Sequence, residues 1–187
     1  MAESLTIVLS VATGLALAAA AGFRAFVPLL AAGLAIHFGY VEPARGFDWL
    51  GEPVVLGALS VATAAEIAAY YVPGVDHVLD LLGAPVAVVA GILAAAGVMV
   101  GLPDWLRWLT AIGAGGAVAT AGHALNAVGR AKTGAASGGL GNPVYATAEL
   151  GGSVLLAALA LLLPVMALVA IAVLVAWALK RRRRRPV

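Results

Sequence analysis

Apolar runs of membrane-spanning length recur from one end of this chain to the other, and polar residues are confined to brief interruptions between them. The first run covers Leu5 to Ala21 and is broken by Gly22-Phe23-Arg24. The second covers Ala25 to Gly39, with Pro28 in its first turn and His37 near its far end. It is short for a bilayer, which suits a tilted, broken or partly re-entrant helix. Tyr40 to Pro53 is an acidic loop with Trp49 as an interface marker. A third run follows at Val54 to Val72 and contains Glu66, Tyr70 and Tyr71.

Pro73-Gly74 ends that run, and Val75 to Leu82 reads as a short amphipathic turn with Asp76, His77 and Asp80. The fourth span is Ala84 to Val100. The fifth is Trp105 to Val128, with Trp105 and Trp108 as an aromatic belt and His123 and Asn126 inside it. Gly129 to Gly141 reads as a basic, glycine-rich loop. Asn142-Pro143 is a helix-start signal, because Asn caps well and Pro suits the first helical position. From Pro143 to Leu179 there are 37 residues. A single helix of that length would measure about 55 Å against a hydrocarbon core of about 30 Å. A turn is therefore expected near Pro164, giving spans six and seven. The alternative is a re-entrant helix at Pro143–Gly152 followed by one long span. The fold class is thus all-α: a polytopic transmembrane helical bundle of six or seven spans with broken or re-entrant helices. Residues 1–179 form one transmembrane domain and residues 180–187 a basic tail.

Composition agrees with that pattern. Of 187 residues, 63% are hydrophobic and 11% charged, and the mean hydropathy is +1.05. A soluble core of this size would show amphipathic stripes instead of repeated all-round apolar runs. With no cysteine, disulfide and thiol chemistry are excluded. The net charge of +2 conceals an asymmetry: Lys180 to Arg185 hold six of the 11 basic residues, leaving five against nine acids in the body. That tail is expected to lie in the cytoplasm and to meet anionic lipid headgroups. Counting back through seven spans puts Arg24, Arg130 and Lys132 on the cytoplasmic side. It puts Glu3 and the acidic Tyr40–Pro53 loop outside, in a plasma-membrane protein. The run from Leu5 lacks a basic lead and reads as a retained span, not a cleaved signal. The expected partners are the bilayer, anionic headgroups and a second copy of the chain, not nucleic acid. No cofactor is expected.

Small residues such as Gly91, Ala95 and Gly113 to Gly116 imply close helix packing. Val61 to Glu66 faintly echoes Tyr145 to Glu149, which is compatible with an inverted repeat or with chance in an alanine-rich chain.

Candidate chemistry rests on a few intramembrane polar groups. Glu66 and Glu149 are carboxylates within spans, where an ionisable residue is a functional-site hypothesis by default. His123, Asn126 and Arg130 are spaced three and four apart, on one helix face. Beside Glu149 they would form a polar lane with Arg130 guarding the cytoplasmic mouth. Asn142 ends a glycine turn whose free N–H groups favour an anion, although no Gly-Lys-Ser/Thr follows and this is no P-loop. Asp76 and Asp80, four apart, could hold a divalent cation or simply form a solvated face. No residue is assigned a catalytic role. Three readings stay open. The first is a small transporter or channel-like protein using Glu66, His123, Asn126, Arg130, Asn142 and Glu149. The second is a metal-dependent enzyme acting on a lipid headgroup through Asp76 and Asp80. The third is a non-catalytic membrane scaffold.

Several of these residues also carry a resemblance. The Gly22-x-x-Ala25-x-x-Pro28 break, Glu66 followed by Pro73-x-x-Asp76-x-x-x-Asp80, His123 with Arg130, and Gly138-Gly139-x-Gly141-Asn142-Pro143 ending in Glu149 stand in this order. Together they resemble the domain-of-unknown-function 4126 family over most of residues 10–165. Leu150 stands where members often carry a second acid, and Tyr71 and Val72 where they often carry a base. The resemblance implies an integral membrane protein and no particular activity.

Overall fold

The computed structural model describes residues 2–72, 75–169 and 173; the side chains of residues 75–82 are outside the description. The regular structure of the described residues is all helical, without strands. The helices are α1 (Ala2–Ala21), α2 (Phe26–His37), α3 (Pro53–Ala69), α4 (Val75–Val98), α5 (Asp104–Thr110), α6 (Gly116–Ser137) and α7 (Asn142–Leu162). A 3₁₀ turn at Asp48–Gly51 precedes α3, and a π-helical turn at Ala111–Gly115 joins α5 to α6 without a break. Two helices, Glu3–Ala21 and Asn142–Leu162, are long and apolar enough to cross a membrane; Phe26–His37, Pro53–Ala69 and Gly83–Val98 are shorter apolar helices.

Printed contacts fix the direction of each helix. Ser10 donates to the Val100 carbonyl at 3.0 Å, and Ala18 lies against Gly91, so α1 and α4 run antiparallel. The end of α2 meets the loop before α3, where His37 Nδ1 lies 2.8 Å from the Gly51 carbonyl. Its start meets Glu66, near the end of α3. In α7, Ala146 meets Arg24 and Ser153 meets Ala20, and Ala157 and Ala160 join a core with Ala16, Leu17, Leu29 and Ala32. Successive helices therefore alternate in direction, with α5 and α6 counting as one continuous helix. One end of the bundle gathers the start of α1, the 38–52 loop and the α4–α5 connection; we call it the loop end. The other gathers the 22–25 turn, the end of α3 and the α6–α7 turn; we call it the turn end. The helices pack closely because their contact faces are small. A methyl group on Gly22 would lie 2.8 Å from the Ala119 carbonyl oxygen and from Gly122 Cα.

Several expected boundaries move. The amphipathic turn at Val75–Leu82 and the span from Ala84 form one helix, α4, which carries Pro85 internally. The Gly129–Gly141 loop is not a loop over most of its length: α6 continues through Arg130 and Lys132 to Ser137, where Gly138 caps it in the left-handed region at φ 60°. Alanine-rich 131–137 sustains the helix, with Thr133 and Ser137 hydroxyls bonded back to carbonyls four residues earlier. A break does occur before Pro164, at Leu163 with φ −141°, and helix resumes at 164–169. Span seven beyond 169, apart from residue 173, and the Lys180–Arg185 tail lie outside the described residues. The echo between Val61–Glu66 and Tyr145–Glu149 does not mark an inverted repeat. Glu66 is near the end of α3 and Glu149 near the start of α7, so both sit at the turn end, whereas inversion would send them to opposite ends.

Candidate functional site

The connection between α1 and α2 is four residues long and lies inside the turn end. A helix end leaves carbonyls and N–H groups without partners, and in an apolar interior each must be met by a side chain. Here they are met from three other helices. Ser153 of α7 donates to the Ala20 carbonyl at 3.0 Å, and Asn126 of α6 donates to the Gly22 carbonyl at 3.2 Å. At the start of α2, the Ala25 N–H donates to Glu66 Oε1 at 2.8 Å and the Phe26 N–H to Oε2 at 3.2 Å. No cap of α2's own is present at Ala25. A carboxylate from α3 takes that place, and the positive end of the α2 dipole favours its charge.

Arg24 projects from the same turn and is 1% exposed. Its Nη2 donates to the Ala146 carbonyl at 3.0 Å and lies 3.6 Å from Glu149 Oε2. Arg130 Nη2 donates to the same Glu149 oxygen. Glu149 itself is 3% exposed. Both guanidinium groups lie over the Tyr70 ring, with their central carbons 3.8 and 4.1 Å from its centroid, a placement in which the ring's negative face offsets part of the lost hydration. Two arginines and two glutamates thus balance in charge at a place where an isolated charge would cost several kcal/mol.

Next to this network is a cavity of about 350 Å³ between α2, α3 and α4, lined by Ala25, Phe26, Ala62, Glu66, Tyr70 and Gly83 among others. At Gly83 the packing is close. A methyl group there would lie 3.2 Å from His123 Cε1 and 3.5 Å from the Tyr70 hydroxyl. Glu66 is therefore both a helix cap and the ionisable wall of a small, largely apolar space.

Of the residues expected from sequence, Glu66, His123, Asn126, Arg130 and Glu149 gather at this end. Their roles differ from the expected lane. Asn126 bonds to Gly22 of α1. Arg130 does not guard a mouth but is buried and paired with Glu149. Asn142 is not in the cluster: it stands about 10 Å before Glu149 along α7, against Gly134 of α6. Asp76 and Asp80 fall in the first turns of α4, and their side chains lie outside the described residues. Among the described residues no group of three metal-ligating side chains occurs. Arg24, Tyr70 and Ser153 were not singled out from sequence. The signal for Arg24 was its isolation between two apolar runs, which also fits a charge marking a membrane surface.

Set against known proteins, the chain matches the family model described as Domain of unknown function (DUF4126) over residues 11–184. The chain belongs to that family. No curated protein and no solved structure matches it.

Proposed function

We propose that this DUF4126 member is a multi-pass integral membrane protein acting as a small transporter or channel-like protein, with Glu66 as the group its permeant meets. The outward surface supports the membrane setting: Val54 is 82% exposed and Leu162 77%, and Val8, Val61, Leu109, Ile112 and Leu155 are also exposed along the helices. Apolar surface of this extent is suited to lipid and unsuited to water. Charge supports an orientation with the turn end and the Lys180–Arg185 tail in the cytoplasm and the N-terminus outside.

One observation carries the transport reading. The Glu66 carboxylate caps the start of α2 and lines a cavity of about 350 Å³. Helix N-termini that face an ionisable group and a cavity recur in secondary carriers. A hydroxyl or amide could cap α2 at less cost than a carboxylate, so the charge at Glu66 is suited to a mobile partner. His123 lies against Gly83, one of the residues that line this cavity. The test is flux in liposomes across a panel of ions and small solutes, with an internal pH dye. Glu66→Gln should lower flux at least tenfold, roughly the loss of one charge-assisted contact, while keeping an oxygen that accepts from the N–H groups of α2. Absence of flux for every solute in the unaltered protein, or equal flux in Glu66→Gln, would sink the idea.

A scaffold role is the second reading, favoured by the way Glu149 ties the α1–α2 turn to α6 and α7. It predicts that substitutions in the cluster change stability or complex formation with no flux to lose.

A further inference from the structure

The loop end holds a buried arginine that the proposed transport site does not use. Arg107 lies on α5, and its Nη2 donates to the Arg45 carbonyl at 3.1 Å and pairs with Asp104 Oδ1 at 3.1 Å. Its Nε has no hydrogen-bond partner among the described residues. Its guanidinium carbon is 5.7 Å from the Phe47 ring centre. Trp49 and Trp108 pack around that ring at 6.1 and 5.8 Å. Arg107 lines a pocket of about 380 Å³ with Arg45, Asp104, Met99, Gly101 and Leu102. Two cations and one carboxylate line it, so it carries one surplus positive charge. The rest of the 40–53 segment is acidic, with Glu42, Asp48 and Glu52. A buried arginine with an unmet donor, an exposed arginine beside it and a pocket between them make a local cationic site in surroundings of the opposite sign.

We infer that this pocket binds a phosphate group carried by the headgroup of a membrane lipid. Guanidinium forks match the paired oxygens of a phosphate; the exposed Arg45 supplies the donors, and the buried Arg107 adds its charge from the pocket wall. Trp49, Trp105 and Trp108 gather at this end, and tryptophan is the residue that settles at headgroup depth. Leu102, partly exposed, gives the pocket an apolar wall for the glycerol end of the lipid. The lipid source rests on the membrane reading above; the phosphate site does not depend on transport.

The test is a titration of the detergent-purified full chain followed by tryptophan fluorescence, because three of its four tryptophans lie at this end. The probes are a short-chain phosphatidylglycerol, inorganic phosphate, and a diacylglycerol of the same chain length. Phosphatidylglycerol should give a saturable change whose midpoint is about tenfold higher in Arg45→Gln, the loss of one charge-assisted hydrogen bond. Arg45 is exposed and gives Arg107 only its backbone carbonyl, so this variant keeps the fold. The Lys180–Arg185 tail is common to both chains, so the difference between them reads the pocket. Diacylglycerol should give no saturable change. Inorganic phosphate reproducing the change with the same Arg45 dependence overturns the lipid source and leaves a free-phosphate site. Equal midpoints in the two chains, or an equal response to diacylglycerol, overturn the site. Neither result bears on flux through Glu66, and loss of the flux reading leaves this titration intact.

Discussion

At the turn end, Arg24 and Arg130 share Glu149, a carboxylate as deeply buried as they are. At the loop end, Arg107 pairs with Asp104, whose side chain is 57% exposed. Both arrangements bury a guanidinium, yet the anion is sealed in one and open to the surroundings in the other. Coulomb attraction alone does not separate them; the fate of the charge left behind does. Arg24 and Arg107 each also hold a backbone carbonyl, of Ala146 and Arg45, so the difference lies in the anion. Glu149 neutralises two buried cations out of reach of solvent, whereas Asp104 serves one and is itself half in the open. The sealed pair ties the α1–α2 turn to α6 and α7, while the open pair stands in the wall of the pocket of about 380 Å³.

Removing the shared anion is the strongest way to break this contrast. Glu149→Gln leaves two buried cations partly uncompensated and should cost about 3–5 kcal/mol. Asp104→Asn, the matching change at the loop end, should cost less than about 1 kcal/mol. Denaturant unfolding in detergent micelles measures both, and equal losses would remove the distinction between the ends. A smaller effect comes from the backbone crossing that holds the sealed pair in place. Gly22→Ala puts a methyl group 2.8 Å from the Ala119 carbonyl oxygen and should cost about 1–3 kcal/mol. Gly57→Ala on α3, where a methyl group meets nothing within 4 Å, should instead stabilise by about 0.4–1 kcal/mol. If the melting temperatures of these two variants moved together, the close approach of α1 to α6 would be wrong. Ser153→Ala should cost about 0.5–1.5 kcal/mol, well below Glu149→Gln. The Ala20 carbonyl it abandons still accepts from the N–H groups of Phe23 and Arg24. A loss as large as that of Glu149→Gln would show that the hydroxyl and not the ion pair holds α7 to the turn.

How much of this was legible in the chain depends on what each residue's neighbours in sequence reveal. The break at Gly22-Phe23-Arg24 and the start at Asn142-Pro143 are local signals, and the helices end and begin there. Gly129-Arg130-Ala131-Lys132 carries the glycine and charge of a loop, yet α6 continues through it, sustained by its alanines and by the Thr133 and Ser137 hydroxyls bonded back to carbonyls. The separation expected between the Val75–Leu82 turn and the span from Ala84 is absent, because α4 runs through both with Pro85 inside it. The site divides in the same way. Glu66 and Glu149 stand out because carboxylates are rare in apolar runs. The partners of Glu66 are backbone N–H groups 40 and 41 residues away, and sequence gives no sign of those. Tyr70 looks like any aromatic residue near a helix end until two guanidiniums are found over its ring.

The π-helical turn at Ala111–Gly115 has a consequence for that cluster. The Gly116 N–H reaches back five residues to the Ala111 carbonyl, so the long helix holds one residue more in this stretch than an α-helix would. Each α-helical residue advances the side-chain direction by about 100°. The surplus residue therefore rotates the phase of everything after it by roughly that angle. Asn126 and Arg130 owe their bearing toward Gly22 and Glu149 to a count of residues made more than two helical turns earlier.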